Sequence, residues 1–296
     1  MRVFVTGATG FIGSAIVAEL LRNGHQVLGL TRSDAGAQAL ADTGAEAHRG
    51  NLEDLDSLRR GATRSDGVIH CAFDHDFSNF AANCEKDSRA ITALGAALAG
   101  SDRPLLVTSG VGMGIPGPGL PAAEDVFNPE HPNPRKASEL AASAVAAEGV
   151  NVSVVRLPQV HDTTRHGLIA YAIAAAREKG VSAFVGDGSN RFSAAHVLDV
   201  ARLYRLAIEK AEPGARYHAV AEEGVAFREI AAVIGRGLDV PLASLSPEDA
   251  AAHFGWLGMF AGLDLAASSA QTRAKLDWTP VGPGLLDDLE RHFRPG

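Results

Sequence analysis

Three glycines at fixed spacing, set between an apolar run and an amphipathic one, constrain this chain more than any other feature. Val3-Phe4-Val5 is short and wholly apolar, as a strand buried on both faces of a parallel sheet must be. It runs into Thr6-Gly7-Ala8-Thr9-Gly10-Phe11-Ile12-Gly13, which reads G-x-x-G-x-x-G. Ile12, Ile16, Val17, Leu20 and Leu21 then recur at helical spacing until Asn23-Gly24 supplies a stop. Gly7 permits a tight turn, Gly10 lets the backbone approach a pyrophosphate, and Gly13 lets helix and strand pack closely. The phosphates would rest on the free N–H groups and positive dipole end of the helix. A second apolar run, Val27-Leu28-Gly29-Leu30, closes a strand–helix–strand unit. Together these predict a dinucleotide site in a doubly wound α/β domain, with Thr6, Gly7, Thr9, Gly10, Phe11, Ile12 and Gly13 against the cofactor.

The whole chain has room for more than that unit. Its 296 residues, 46% of them apolar, suffice for one large α/β domain and a smaller lobe. A formal charge of -8 argues against nucleic acid or an anionic membrane as the main partner. Met1-Arg2-Val3 passes straight into a strand without a signal-peptide pattern, and no run of about eighteen residues is apolar enough to span a bilayer, so a cytoplasmic location is expected. Cys71 and Cys84 are too few for a disulfide framework or a zinc site and read as small buried hydrophobes.

The glycine spacing, with Thr6 and Phe11-Ile12 between, resembles the extended and atypical branches of the short-chain dehydrogenase/reductase superfamily, including nucleotide-sugar epimerases and dehydratases. Later segments share the likeness. Gly67 to Ala72 is similar to the family's V-I-H-x-A strand, Arg156 to His161 to its R-P-x-x-V-Y-G turn, and His196 to Ala201 to its H-V-x-D-x-A helix. The resemblance implies that Cys71, Ala72, Phe73, Thr108, Leu157 and Pro158 pass the nicotinamide half of the cofactor, and that Asn51 and Leu52 flank adenine. At the end of the second strand, Arg32 with the Ser33 hydroxyl suits a 2'-phosphate, where an acidic residue would select NAD. NADP(H) is therefore expected over NAD(H), although Arg32 beside Asp34 is also what a solvated strand end looks like.

Family members that move hydride carry a Ser or Thr after the fifth strand and a Tyr-x-x-x-Lys on the next helix. Here the helix opens His131-Pro132-Asn133-Pro134-Arg135-Lys136-Ala137-Ser138-Glu139, which resembles P-Y-x-x-S-K with Arg135 in the Tyr place and Glu139 in the Lys place. The Ser place falls on Gly110, with Ser109 one residue off. Arg135 cannot shuttle a proton, though it can polarise a carbonyl, and Glu139 supplies no positive field. The plain alternative is an exposed Arg135–Glu139 ion pair four residues apart. Proton donors are then sought in His75, His161, Tyr171 or a bound water. Asp74-His75-Asp76 lacks metal-ligand spacing and no metal is expected. His161 reads equally as a surface histidine of a polar loop.

Further expectations complete the chain. Ser109 to Gly119 is rich in Gly and Pro and predicts a mobile loop at the site's edge. Phe184 to Ser193 resembles a hairpin whose Arg191 is a weak candidate to touch a diphosphate, His196 and Asp199 cap and anchor a helix, and Phe254 to Leu263 is core, pocket wall or dimer contact. The domain division expected is 1–156 for the dinucleotide-binding half and 157–296 mainly for an interleaved substrate lobe. The leading function is an NADP(H)-dependent oxidoreductase acting on a small, partly apolar carbonyl or alcohol through a donor other than Tyr. A nucleotide-sugar epimerase or dehydratase and a non-catalytic NADP(H)-binding sensor or scaffold are the alternatives, and a homodimer fits the resemblance.

Overall fold

The computed structural model describes residues 1–294. Strands and helices alternate through the first half: β1 (Arg2–Thr6), α1 (Phe11–Arg22), β2 (Gln26–Thr31), α2 (Asp34–Thr43), β3 (Glu46–Arg49), α3 (Leu55–Thr63), β4 (Gly67–His70), α4 (Phe80–Leu98), β5 (Leu105–Gly110), α5 (Lys136–Ala147) and β6 (Val152–Leu157). The second half contains β7 (Gln159–His161), α6 (Ile169–Lys179), β8 (Ser182–Val185), β9 (Arg191–His196), α7 (Val197–Lys210), β10 (Arg216–His218), β11 (Glu222–Ala226) and α8 (Phe227–Leu238). It ends with β12 (Leu242–Leu245), α9 (Pro247–Phe254), α10 (Gly258–Ala261), α11 (Ala270–Leu276) and α12 (Leu285–Phe293).

A seven-stranded parallel sheet in the order β10-β6-β5-β4-β1-β2-β3 organises the molecule. β1 explains why: Val3 and Val5 point into the core under α1 and α7, and Phe4 into the core under α3, α4 and α5, all fully buried. Each such side chain contributes roughly 1.5–3 kcal/mol when taken from water. The chain leaves β1 to one side and β4 to the other, so a crevice opens at their carboxyl ends. α7 and β10, from the second half, return to this layer, with α7 packed on α1. No helix of the described residues is long and apolar enough to cross a membrane.

The smaller core gathers α6, α8, α9 and α12 around Phe192, Phe227, Ile230 and Leu289. Here the expected hairpin is corrected. β8 pairs with β12, while β9 pairs with β11 and β7, so the two strands belong to different sheets. The glycine-rich stretch after β5 is corrected too: Val111–Gly114 is a buried single turn of tight helix, and a Cβ on Gly114 would meet Ala123 O at 2.5 Å. Only the segment beyond it, Pro116 to Pro121, is largely exposed.

Candidate functional site

The glycine turn forms a cradle that side chains would fill. Gly7 adopts φ 70°, and a Cβ there would stand 2.9 Å from Ala72 N; one on Gly13 would stand 2.0 Å from Gly7 O. Gly10 is the N-cap of α1 and offers no capping side chain, so the first-turn N–H groups of Phe11 and Ile12 stay available to an anion. Thr6 lies buried beneath the turn, and Thr9 is exposed at its rim. The backbone therefore fits a dinucleotide diphosphate at the predicted place.

Where adenosine is expected, Arg32 is exposed and, among the described residues, makes no ion pair, because Asp34 turns to Arg49 at 2.6 Å. The Ser33 hydroxyl accepts from Gly36 N as the cap of α2, which leaves only its proton to donate. Asn51 Oδ1 accepts from the N–H groups of Glu53 and Asp54, while Leu52 packs on the core.

The side of the crevice where the nicotinamide is expected is built on a buried polar chain. Thr6 Oγ1 accepts from the N–H groups of Cys71 and Ala72, so its proton goes to His70 Nδ1, 2.8 Å away. His70 must then carry its proton on Nε2, facing Asp87 Oδ1 at 3.1 Å. Asp87 Oδ2 accepts from Arg135 at 2.7 Å and from Ser138 Oγ at 2.6 Å. Burial alone would raise the Asp87 carboxyl, but Arg135, His70 and Ser138 outweigh it and hold the group well below the carboxylate range. The second Arg135 amino group donates to Thr108 O at 2.9 Å, and the guanidinium lies 4.0 Å from the Phe73 ring centroid. Thr108 Oγ1 donates to His70 O and accepts from Tyr204 at 2.7 Å. Burial pushes the Cys71 thiol beside them up to about 11, which leaves it inert.

Three expected catalytic residues lie elsewhere. Glu139 is fully buried, with its carboxylate clasped by Arg156 at 2.7 and 2.8 Å and by Arg216 at 3.0 Å, so neither a cofactor contact nor a surface pair with Arg135 survives. Ser109 is buried beside Glu139. His161 is fully buried on β7, its Nδ1 bonded to Asp288 of α12 at 2.8 Å, so it is neither a pocket donor nor a surface histidine. His75, by contrast, is exposed on the loop after β4, its ring 5.4 Å from Phe73 and 6.1 Å from Phe77. Desolvation, then the Arg135 charge, lower its pKa, which keeps the imidazole neutral at pH 7. Asp74 pairs with Lys86 and Asp76 caps the following turn, so the acidic neighbours of His75 are engaged. Leu157 and Pro158 are half-buried where β6 ends. Arg191, a weak diphosphate candidate, is bound bidentately by Asp264 at 3.1 and 2.6 Å.

Asp87 and Ser138 were not singled out from sequence, yet they hold Arg135. Asp87 did carry a readable signal: it falls in the apolar stripe Cys84, Ala90, Ile91 and Leu94 of α4, where an unpaired charge would be costly. His196 Nδ1 accepts from Leu198 N, and Asp199 accepts from Val281 and Gly282 N–H groups, as anchors of α7.

Comparison with known proteins agrees with this geometry. Residues 3–221 match the model of the NAD dependent epimerase/dehydratase family. An uncharacterized protein of Schizosaccharomyces pombe is 45% identical over 290 residues, covering 98% of each chain. Another, of Saccharomyces cerevisiae, is 42% identical over 296 residues, covering 99% of each. The fold matches that of dTDP-glucose 4,6-dehydratase from Streptomyces venezuelae, solved with NAD bound, at a TM-score of 0.78 and 20% identity over 99% of this chain and 96% of that one. With a glycine cradle at the end of β1, a sheet wound in both directions from it and a matching family model over most of its length, the chain belongs to the NAD dependent epimerase/dehydratase family within the short-chain dehydrogenase/reductase superfamily.

Proposed function

We propose that this protein is an NADP(H)-dependent oxidoreductase that interconverts a small, partly apolar carbonyl compound and its alcohol. The observation that carries this is the fixed Arg135 guanidinium at the carboxyl end of β5. Of its five N–H groups, three are engaged by Asp87, Ser138 and Thr108, which leaves two for a substrate oxygen. The cofactor, when bound, supplies hydride chemistry. Arg135 orients the carbonyl and stabilises the negative charge that develops on its oxygen, in a site where the counter-charge Asp87 is already in place. It cannot give up a proton itself.

That proton falls to His75. In the oxidative direction its neutral imidazole accepts the alcohol proton; in reduction its protonated form returns one to the oxygen while the carbonyl carbon takes the hydride. The reductive rate then falls as pH rises above the lowered His75 pKa. The committed Arg191–Asp264 pair weighs against a nucleotide-sugar diphosphate as substrate. We read 157–296 as mainly the lobe that encloses the substrate, and unpaired Arg32 as the 2'-phosphate ligand.

Fluorescence titration with NADPH and NADH, repeated on Arg32→Ala, tests the proposal. Loss of one charge-assisted bond is worth roughly 1.5–3 kcal/mol, so NADPH affinity should fall about tenfold to a hundredfold toward the NADH value. Binding of neither cofactor by the unaltered protein would defeat the oxidoreductase assignment.

A further inference from the structure

From Arg135 a line of aromatic rings leads out of the crevice to the smaller lobe. Phe73, under the guanidinium, meets Phe80 at 6.2 Å, and Phe80 meets Phe77 at 5.6 Å. Phe77 then stacks on Trp256, the centroids 4.1 Å apart and the planes within 11°, and Tyr171 of α6 stands edge-on to Trp256 at 4.6 Å. Phe73, Phe77, Phe80 and Tyr171 belong to none of the hydrophobic cores, and Tyr171 is 41% exposed. Aromatic rings left outside a core, beside a cation suited to a carbonyl oxygen, are what recognition of a flat apolar body requires.

The mechanics of the stack point the same way. Phe77 belongs to the loop that leaves β4, and Trp256 to a single turn of tight helix, Gly255–Leu257, between α9 and α10. The two sides of the crevice thus meet ring to ring. Gly255, at the head of that turn, has φ 59° and ψ -135°, a backbone conformation open essentially to glycine alone, and a Cβ there would touch nothing. Gly255 thus sets the turn that presents Trp256, whose ring packs on the smaller core and meets Phe77, Tyr171 and Phe260. Lys86 is held by Asp74 and Glu53, and Glu178 and Lys179 of α6 lie together at the side of the cleft that Tyr171 and Trp256 line.

We propose that Phe77 and Trp256 are the pair that recognises the body of the substrate, so that the protein selects carbonyl compounds carrying an aromatic or conjugated flat group. The substrate ring takes the place of one partner in the stack and its carbonyl oxygen reaches Arg135. This rests on the oxidoreductase assignment above, and the test separates the two.

The experiment compares NADPH-dependent reduction of benzaldehyde and cyclohexanecarbaldehyde, alike in size but not in flatness, by the full chain and by Phe77→Leu and Trp256→Leu. The unaltered protein should favour benzaldehyde about tenfold in kcat/KM. Both variants should lose that preference mainly through KM, with NADPH affinity unchanged. In parallel, benzaldehyde should quench the fluorescence of half-buried Trp256 and not that of Trp256→Phe, in which buried Trp278 is the remaining indole. Equal turnover of the two aldehydes, a preference that survives both substitutions, or no quenching on benzaldehyde addition would each overturn the aromatic proposal while leaving an NADPH-binding reductase intact. Failure to bind NADPH would strike the assignment beneath it.

Discussion

Glu139→Gln would leave two arginines facing a neutral amide in the core. Glu139 and Arg156 are both wholly buried, joined by two bonds of 2.7 and 2.8 Å, and Arg156 also donates to the backbone of Ala123 and Val126. Burial by itself would raise the Glu139 carboxyl, and the bonds from Arg156 and Arg216 reverse that shift, so the pair stands only as long as both charges are present. Removing one partner of such a pair costs about 3–5 kcal/mol. That is a large share of a typical margin of roughly 5–15 kcal/mol. At about 2–4 °C per kcal/mol for chains of this order of size, the midpoint should fall by roughly 6–20 °C. Thermal and urea unfolding followed by circular dichroism would measure it. The double variant Glu139→Leu/Arg156→Met should recover most of the loss, because Arg216 is 26% exposed and can turn to water. A shift of less than about 2 °C together with abolished cofactor binding would refute this account and return Glu139 to the cofactor site.

Two further perturbations probe other parts of the structure. Gly13→Ala places a methyl 2.0 Å from Gly7 O, against backbone that cannot yield cheaply, so NADPH binding should weaken at least about tenfold with roughly 1–3 kcal/mol of destabilisation; an unchanged titration would mean the turn does not hold the diphosphate. His166 and His218 are both pushed down to about 4 by burial, from an ordinary value near 6.5. Between those pH values the unfolded chain binds more protons than the folded one. Their stabilising contribution is therefore complete above pH 6.5 and is lost as pH falls toward 4, roughly 3 kcal/mol for each. Urea melts at pH 7 and 4.5 should show the drop, and equal midpoints would contradict it.

Much of the fold was legible because its signals are local. A wholly apolar run, a glycine turn and a helical stripe lie within one short stretch, and they require a parallel sheet with a crevice at its carboxyl edge. The departures occur where a partner comes from far along the chain. Helical spacing places Arg135 and Glu139 on neighbouring turns but does not say what lies opposite each. Asp87, 48 residues before Arg135, captures the first, and Arg156, 17 after Glu139, captures the second. His161 stands among polar residues that suit an exposed loop, and only α12, bringing Asp288 from 127 residues away, buries it. β8 and β9 look like a hairpin because they adjoin in sequence, yet backbone hydrogen bonding is satisfied equally well by more distant strands.

What the amino-acid sequence determined by itself was the kind of molecule: a doubly wound α/β chain with a glycine turn at the end of its first strand, because turn geometry and apolar periodicity act between close neighbours. What only the tertiary structure decided was the division of labour among its polar and aromatic side chains. Burying a charge requires a specific opposite charge, and stacking two rings requires two segments at one distance and angle. Those conditions are met between Arg135 and Asp87, Glu139 and Arg156, Phe77 and Trp256, pairs whose members are brought together by the packing of the sheet and the smaller lobe rather than by their places in the chain.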